Sequence, residues 1–428
     1  MQHERTAAAG LAPAAALRGD GAAQDEPIVV VGASLAGLKA AEAIRAGGHT
    51  GSLTLVGDEP HRPYERPPLS KGVLGGADPA QAALPCDTLD ATWELGVRAS
   101  GLDAAAREVR LEDGRVLPYA GLVLATGTRA REWPAPVPAG VLTIRGLDDA
   151  LAVRGALAPG RRLVVVGAGF LGCEVAATAA ALGVDVTLID VAETPMAVLG
   201  PDVGALYHAL HAGRGIRLRL EAGVAGFAGA GGQLRAVVLD DGDELPADVA
   251  VLALGAVPAV DWLADSGLPV DGGVVCDAAC AVVGHPEIVA AGDVARWPHP
   301  LADGELIRVE HFSNAQLQGR AAGANLLLAP AERAPFDALP SFWSDQHDAK
   351  LQAIGLPGRA DRWMVTEGAV AAQQLVAVGS RAGAAVAVAA VNAGSRLRGY
   401  RKLLGAGASL EDVMDAIAGD ARALPAAA

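Results

Sequence analysis

Apolar runs and glycine turns alternate along the first three quarters of the chain. Val29-Val30-Val31 runs into Gly32-Ala33-Ser34-Leu35-Ala36-Gly37 and an Ala-rich stretch, and the same order returns at Val164-Val165-Val166 and Gly167-Ala168-Gly169-Phe170-Leu171-Gly172. A β-branched run reads as a buried strand, and the Ala-rich segment after the turn reads as a helix packed on it. Two such strand-turn-helix units predict two nucleotide sites. Further apolar strands end in glycine or an acid at Leu122 to Gly127, Val249 to Gly255 and Ile288 to Asp293. Beyond about Pro335 the glycine turns thin out, and alternating stretches at Met364 to Gly368 and Leu375 to Gly379 predict an antiparallel sheet.

The pattern gives an α/β chain with two Rossmann-like dinucleotide-binding domains and a C-terminal α+β domain. Residues 1–26 are expected to form a disordered tail. Residues 27–148 with 273–335 make a split first domain, 149–272 an inserted second one, and 336–428 the third. A length of 428 residues fits about three domains at ~150 residues each.

The second motif is a complete GxGxxG between an apolar strand and a helix. Its glycines permit a tight turn and close approach of a pyrophosphate, which the free helix N–H groups receive. Asp190 follows the strand Val186 to Ile189, at the offset where a carboxylate accepts ribose hydroxyls. No arginine lies between Asp190 and Asp202 to meet a ribose phosphate, so NADH is expected over NADPH. The first motif carries Ser34 where the second has Gly169, a small residue whose hydroxyl is able to bond a phosphate. Asp58 and Glu59 follow its next strand, Leu53 to Val56. Asp293 reads locally either as the cap of a helix beginning within 293–297 or as a cofactor contact.

Composition narrows the class. A formal net charge of -15 argues against general nucleic-acid binding, because no positive field replaces phosphate counterions. The positive mean hydropathy reflects small side chains: no run of ~20 apolar residues is uninterrupted. Ala369 to Val391 is broken by Gln373, Gln374 and Arg381 and reads as strands with turns. No membrane association is expected. Cys86, Cys173, Cys276 and Cys280 are too sparse for a disulfide framework, which fits a reducing cytoplasm. Cys276 and Cys280 lack a partnering pair, and the nine histidines lack ligand spacing, so no metal is expected.

Taken in order, GASLAG, PYERPPLSKG at 63–72, LVLATGTRAR, VVGAGFLGCEVAA, AAGDVA, EHFSNAQLQG and FWSDQH resemble the FAD-dependent NADH:ferredoxin reductases of oxygenase electron-transfer systems, the putidaredoxin and rubredoxin reductase type. The likeness runs from about Pro27 to Leu404 and implies a glutathione-reductase-like fold. It implies FAD in the first domain, with Gly32, Ser34 and Gly37 around the pyrophosphate and Asp58, next to Glu59, at the adenosine ribose. Arg66 would reach the pyrophosphate and Lys71 the isoalloxazine. Ala99, Arg131, Asp293 and His311 would add contacts, and Trp343 would pack near the flavin. NADH would lie on Gly167, Gly169, Gly172 and Asp190, with Glu174 and Glu310 at the nicotinamide end. The plainer reading of these two acids is helix-surface charge.

The implied activity is hydride transfer from NADH to FAD, then single electrons to an iron-sulfur ferredoxin feeding a monooxygenase or dioxygenase. Lys71, Glu174 and Glu310 are the catalytic candidates, Lys71 as a tuning residue for the reduced flavin. The resemblance also implies a monomer or weak homodimer. Two rivals stand beside it. A thiol-dependent NADH oxidase or peroxidase needs a cysteine beside the flavin, for which Cys86 is the nearest candidate. An NADH-sensing flavoprotein with an interaction role would act through conformation. Arg396, Arg398, Arg401 and Lys402 form a basic cluster, read either as a ferredoxin-docking face or as a solvated helix face.

Overall fold

The computed structural model describes residues 25–419 and Leu424. The expected N-terminal tail lies, up to residue 24, outside the described residues.

The first glycine motif sits on a six-stranded sheet in the order Ala281–Val282, His285–Ala290, Gly121–Leu124, Ile28–Val31, Leu53–Gly57 and Thr92–Leu95. Ile28–Val31 is buried at every position and pairs in parallel on both sides, Val30 opposite Leu55 and Val123. A parallel strand covered on both faces needs apolar residues throughout, which is why VVV carries no polar alternation. Helix Leu35–Ala46 covers one face and packs closely on helix Phe312–Leu326. A Cβ on Gly319 or Gly323 would stand 2.4 or 2.3 Å from the carbonyl oxygens of Ala36 and Ala40.

The second motif sits on a five-stranded parallel sheet ordered Arg217–Arg219, Asp185–Ile189, Arg162–Val166, Val249–Leu252 and Val141–Thr143. Val141–Thr143, within the stretch assigned by sequence to the first domain, thus pairs with the second sheet. The chain crosses between the two sheets through the short antiparallel pair Thr128–Ala130 and Ala256–Pro258.

The C-terminal stretch forms an antiparallel sheet ordered Ser341–Gln346, Ala349–Gly355, Ala384–Val391, Gln374–Arg381 and Arg362–Ala369. The alternation of period two is real. Leu375 and Ala377 turn to the core shared with the second sheet, whereas Val376 and Val378 turn to a core closed by Leu397, Tyr400 and Leu404.

His211, on helix Pro201–Gly213, ties the second domain to the third. It is fully buried, 3.1 Å from Gln346 Oε1 through Nε2 and 3.1 Å from His347 Nε2 through Nδ1. Burial, with His347 beside it, pushes the His211 pKa down to about 4. Burial does the same to His311. Their unfolded counterparts, with pKa near ~6.5, take up protons that the folded rings refuse. Their contribution to stability is therefore fully present above about pH 6.5 and is lost as pH falls toward about 4, on the order of 3 kcal/mol per site. Thermal melts should show the midpoint dropping over this window, and His211→Gln, which keeps an N–H donor, should flatten part of the drop.

Candidate functional site

Each glycine turn is fixed by contacts that admit no side chain. Gly32 has φ +116° and a Cβ there would lie 2.1 Å from the Ala125 carbonyl oxygen; Gly167 has φ +107° and the corresponding distance to Ala253 is 2.4 Å. Gly37 and Gly172 let each helix close on its own turn, since a Cβ would lie 1.9 and 1.8 Å from the carbonyl oxygens of Gly32 and Gly167. Gly169 differs: a Cβ there meets nothing within 4 Å. Ser34 occupies the matching place in the first motif, and its side chain makes no hydrogen bond to the helix it precedes.

These turns open into two adjoining cavities of about 510 and 520 Å³. Gly32, Asp58, Glu59 and Ala99 line the first; Gly169, Glu174, Asp293, Glu310 and His311 line the second. Ser34, Tyr64, Arg66, Thr128 and Arg145 line both, so the two form one continuous site.

PYERPPLSKG forms the wall between them. Arg66 donates to Glu59 at 2.6 Å and to the Arg145 carbonyl at 2.6 Å. Tyr64 donates to Glu59 and accepts the Leu147 N–H at 2.9 Å. The prolines lead into the single turn Leu69–Val73, which aims Ser70 and Lys71 at Glu174. Lys71 Nζ stands 2.7 Å from Glu174 Oε2, Ser70 Oγ donates to the same oxygen at 2.5 Å, and Ser344 Oγ donates to Oε1 at 2.6 Å. With its side chain 8% exposed, Glu174 is no helix-surface charge. Glu310 is paired with Arg308 at 2.6 Å. His311 packs its ring on Phe342 and leaves Nδ1 buried without a partner.

Several expected residues act at one remove. Gly37, Gly167 and Gly172 shape the turns from outside the two cavities. Asp190 accepts the Ala168 N–H at 2.5 Å and the Ala192 N–H at 2.8 Å, bracing the second turn. Lys71 meets the site through Glu174. Trp343, 40% exposed, packs edge-to-face on Phe312, whose residue lines the second cavity.

The structure bears on three of these readings. Arg131, one residue past the strand Thr128–Ala130, is exposed and outside both cavities, which its neighbours Ala130 and Glu132 help to line. Arg145, which no motif marks, lines both cavities beside Arg66 and stands 2.7 Å from Asp293. Asp293 caps no α-helix: a single 3₁₀ turn, Gly292–Val294, passes into the strand Ala295–Pro298, and its carboxylate holds Arg145. The basic cluster is also smaller than it reads. Arg396 is held by the buried Glu367 at 2.8 Å. Exposed Arg398, Arg401 and Lys402 lie on a helix that covers the C-terminal sheet face opposite the nucleotide-binding domains.

Comparison with known proteins agrees with this geometry. Residues 26–319 match the pyridine nucleotide-disulphide oxidoreductase family model, and residues 341–424 match a reductase C-terminal model. The chain belongs to the pyridine nucleotide-disulphide oxidoreductase family. It is 40% identical to the ferredoxin–NAD(+) reductase component of an anthranilate 1,2-dioxygenase system from Burkholderia cepacia, over 90% of this chain and 95% of that one. Identity to the corresponding component of a biphenyl dioxygenase system from Paraburkholderia xenovorans (strain LB400) is 37%, over 91% and 99%. Among solved structures, a covalent putidaredoxin reductase–putidaredoxin complex aligns with TM-score 0.83 and 33% identity over 89% of this chain and 93% of that one.

The protein is thus an oxidoreductase that uses FAD and a pyridine nucleotide. Its site residues suit a dinucleotide pair: two cradles that only glycine permits, a buried orphan nitrogen on His311, and paired acids and bases along a continuous cleft. Among its described residues no helix is long and apolar enough to cross a membrane. The two glycines of the second turn should separate binding from folding in this oxidoreductase. Gly169→Ala is expected to melt within about 1 kcal/mol of the native protein while NADH affinity falls at least tenfold. Gly172→Ala should lose more than about 3 kcal/mol of stability. Thermal melts and NADH titration read both.

Proposed function

We propose that this protein is an NADH-dependent ferredoxin reductase, passing electrons to a small iron-sulfur ferredoxin that feeds a monooxygenase or dioxygenase. What the bound FAD supplies is acceptance of a hydride from NADH and release of electrons one at a time. The reading assigns the first cavity to FAD, with Gly32 and Ser34 at its pyrophosphate and Asp58 and Glu59 toward its ribose. Arg66, Arg145 and Asp293 follow where the two cavities join. The second cavity takes the nicotinamide, with Gly169 at the pyrophosphate side and Glu174 and Glu310 near the carboxamide. Lys71 acts through its contact with Glu174. The protein is read as cytoplasmic, a monomer or weak dimer.

The observation that carries this reading is the placement of the cysteines. None of the four lines either cavity, and all four are buried. Cys173 donates to the Ala168 carbonyl at 3.3 Å, and burial pushes its thiol far up; burial also raises Cys280 to about 12. A nucleophilic thiolate needs the opposite environment. Electrons therefore have no sulfur relay within the protein and leave for an external carrier, which disfavours the thiol-dependent oxidase or peroxidase.

Two measurements test this. NADH-driven cytochrome c reduction should require added ferredoxin and survive N-ethylmaleimide; loss of activity on alkylation, or equal rates without ferredoxin, would remove the proposal. A very slow flavin reduction with a long-lived charge-transfer complex would instead favour the NADH sensor. Neutralising Arg398, Arg401 and Lys402 together should leave the KM for ferredoxin within about twofold of the native value, because their helix faces away from the cleft.

A further inference from the structure

Glu174 ends a continuous line of hydrogen bonds that crosses the interface between the second and third domains more than once, and the chemistry of each member fixes its direction. The carboxylate only accepts and Lys71 only donates. Ser344 spends its one hydrogen on Glu174 Oε1 at 2.6 Å, so its lone pair accepts from Gln346 Nε2 at 3.1 Å. With its amide nitrogen turned to Ser344, and to Met196 Sδ at 3.6 Å, Gln346 presents Oε1 to His211 Nε2 at 3.1 Å. That nitrogen must therefore carry hydrogen, which leaves His211 Nδ1 to accept from His347 Nε2 at 3.1 Å. Ser344, Gln346 and His211 are all buried, and His347 is partly exposed. Every donor in the line points toward Glu174.

We propose that Ser344, Gln346 and His211 form a polarised chain that positions the Glu174 carboxylate, so that the C-terminal domain takes part in flavin reduction. The proposal rests on the reading of Glu174 as a nicotinamide-side residue. The chain carries orientation rather than protons, because an amide cannot pass a proton from oxygen to nitrogen without leaving its amide form. Its members are positioning residues: they reach the site through one oxygen of Glu174. The other groups facing Glu174 are Lys71 and Ser70 on the segment opposite, with Cys173 and Tyr207 nearby. At the outer end, His347 lies near His211, Arg214 and Asp348, the last two paired at 2.7 Å.

The test uses the FAD-loaded protein. Infrared spectra of the oxidised enzyme, with the Glu174 carboxylate band assigned by difference against Glu174→Gln, report the hydrogen bonding of its oxygens without turnover; stopped flow gives flavin reduction by NADH. Ser344→Ala is expected to shift the Glu174 carboxylate band and slow reduction about tenfold, the loss of one charge-assisted hydrogen bond. Ser344→Thr, which keeps the hydroxyl, should restore both. An unshifted band in Ser344→Ala overturns the chain even if the rate falls, and Glu174→Gln then still reports on Glu174 alone. Should Glu174→Gln reduce its flavin at the native rate, the reading of Glu174 falls and the chain with it. If Ser344→Ala fails to retain FAD, Gln346→Met decides: a shifted Glu174 band supports the chain, and an unshifted one overturns it.

Discussion

A carboxylate taken out of water must be met by donors, and the donors of Glu174 come from two distant parts of the chain. Ser70 and Lys71 reach it from the proline-led turn and Ser344 from the C-terminal sheet, at 2.5 to 2.7 Å. Desolvating such a pair costs several kcal/mol per ion, which mutual attraction and added hydrogen bonds only about repay. An apolar cluster would hold the domains together as well. What the buried pair adds is register, because three domains must agree on the position of one oxygen pair before any of them is satisfied. The stiff run Pro67-Pro68 belongs to the same constraint, since it presets the turn Leu69–Val73 that delivers two donors to one carboxylate.

Much of the architecture was legible because it repeats locally. A buried β-branched run, a glycine turn and an Ala-rich helix occupy consecutive residues, and the contacts that forbid a side chain at Gly32 and Gly167 involve the strand next door. Alternation at Leu375 to Gly379 likewise declared an antiparallel sheet, and both faces of that strand prove to be buried. What sequence reasoning missed is non-local. Arg145 follows no motif, and its partner Asp293 lies 148 residues away. Arg131 drew attention only because it ends a glycine-turn motif, and nothing in its spacing revealed that the strand stops one residue earlier. The basic cluster failed for the same reason: Glu367, which takes Arg396, is 29 residues upstream on the strand Arg362–Ala369. Ser344 was the hardest to see. It sits inside FWSDQH beside a tryptophan that commands more notice, and its role exists only in the packed state.

The charges along the cleft share one further property. Arg66 is paired with Glu59 at 2.6 Å, Arg145 with Asp293 at 2.7 Å, Lys71 with Glu174 at 2.7 Å and Arg308 with Glu310 at 2.6 Å. A dinucleotide brings a pyrophosphate of charge about −2, yet each of these cations already has its carboxylate. Side-chain attraction is thus largely balanced before an anion arrives, and a paired cation offers little net field at the distances involved. The backbone adds groups that have no countercharge. Helices Leu35–Ala46 and Phe170–Ala181 both begin without a side-chain cap, so their first N–H groups and the positive ends of their dipoles point into the turns. On the proposed function the pyrophosphates meet this rigid main chain, and the ion pairs are free to do what rigid main chain does not: fix the relative placement of strands, turns and domains around the site.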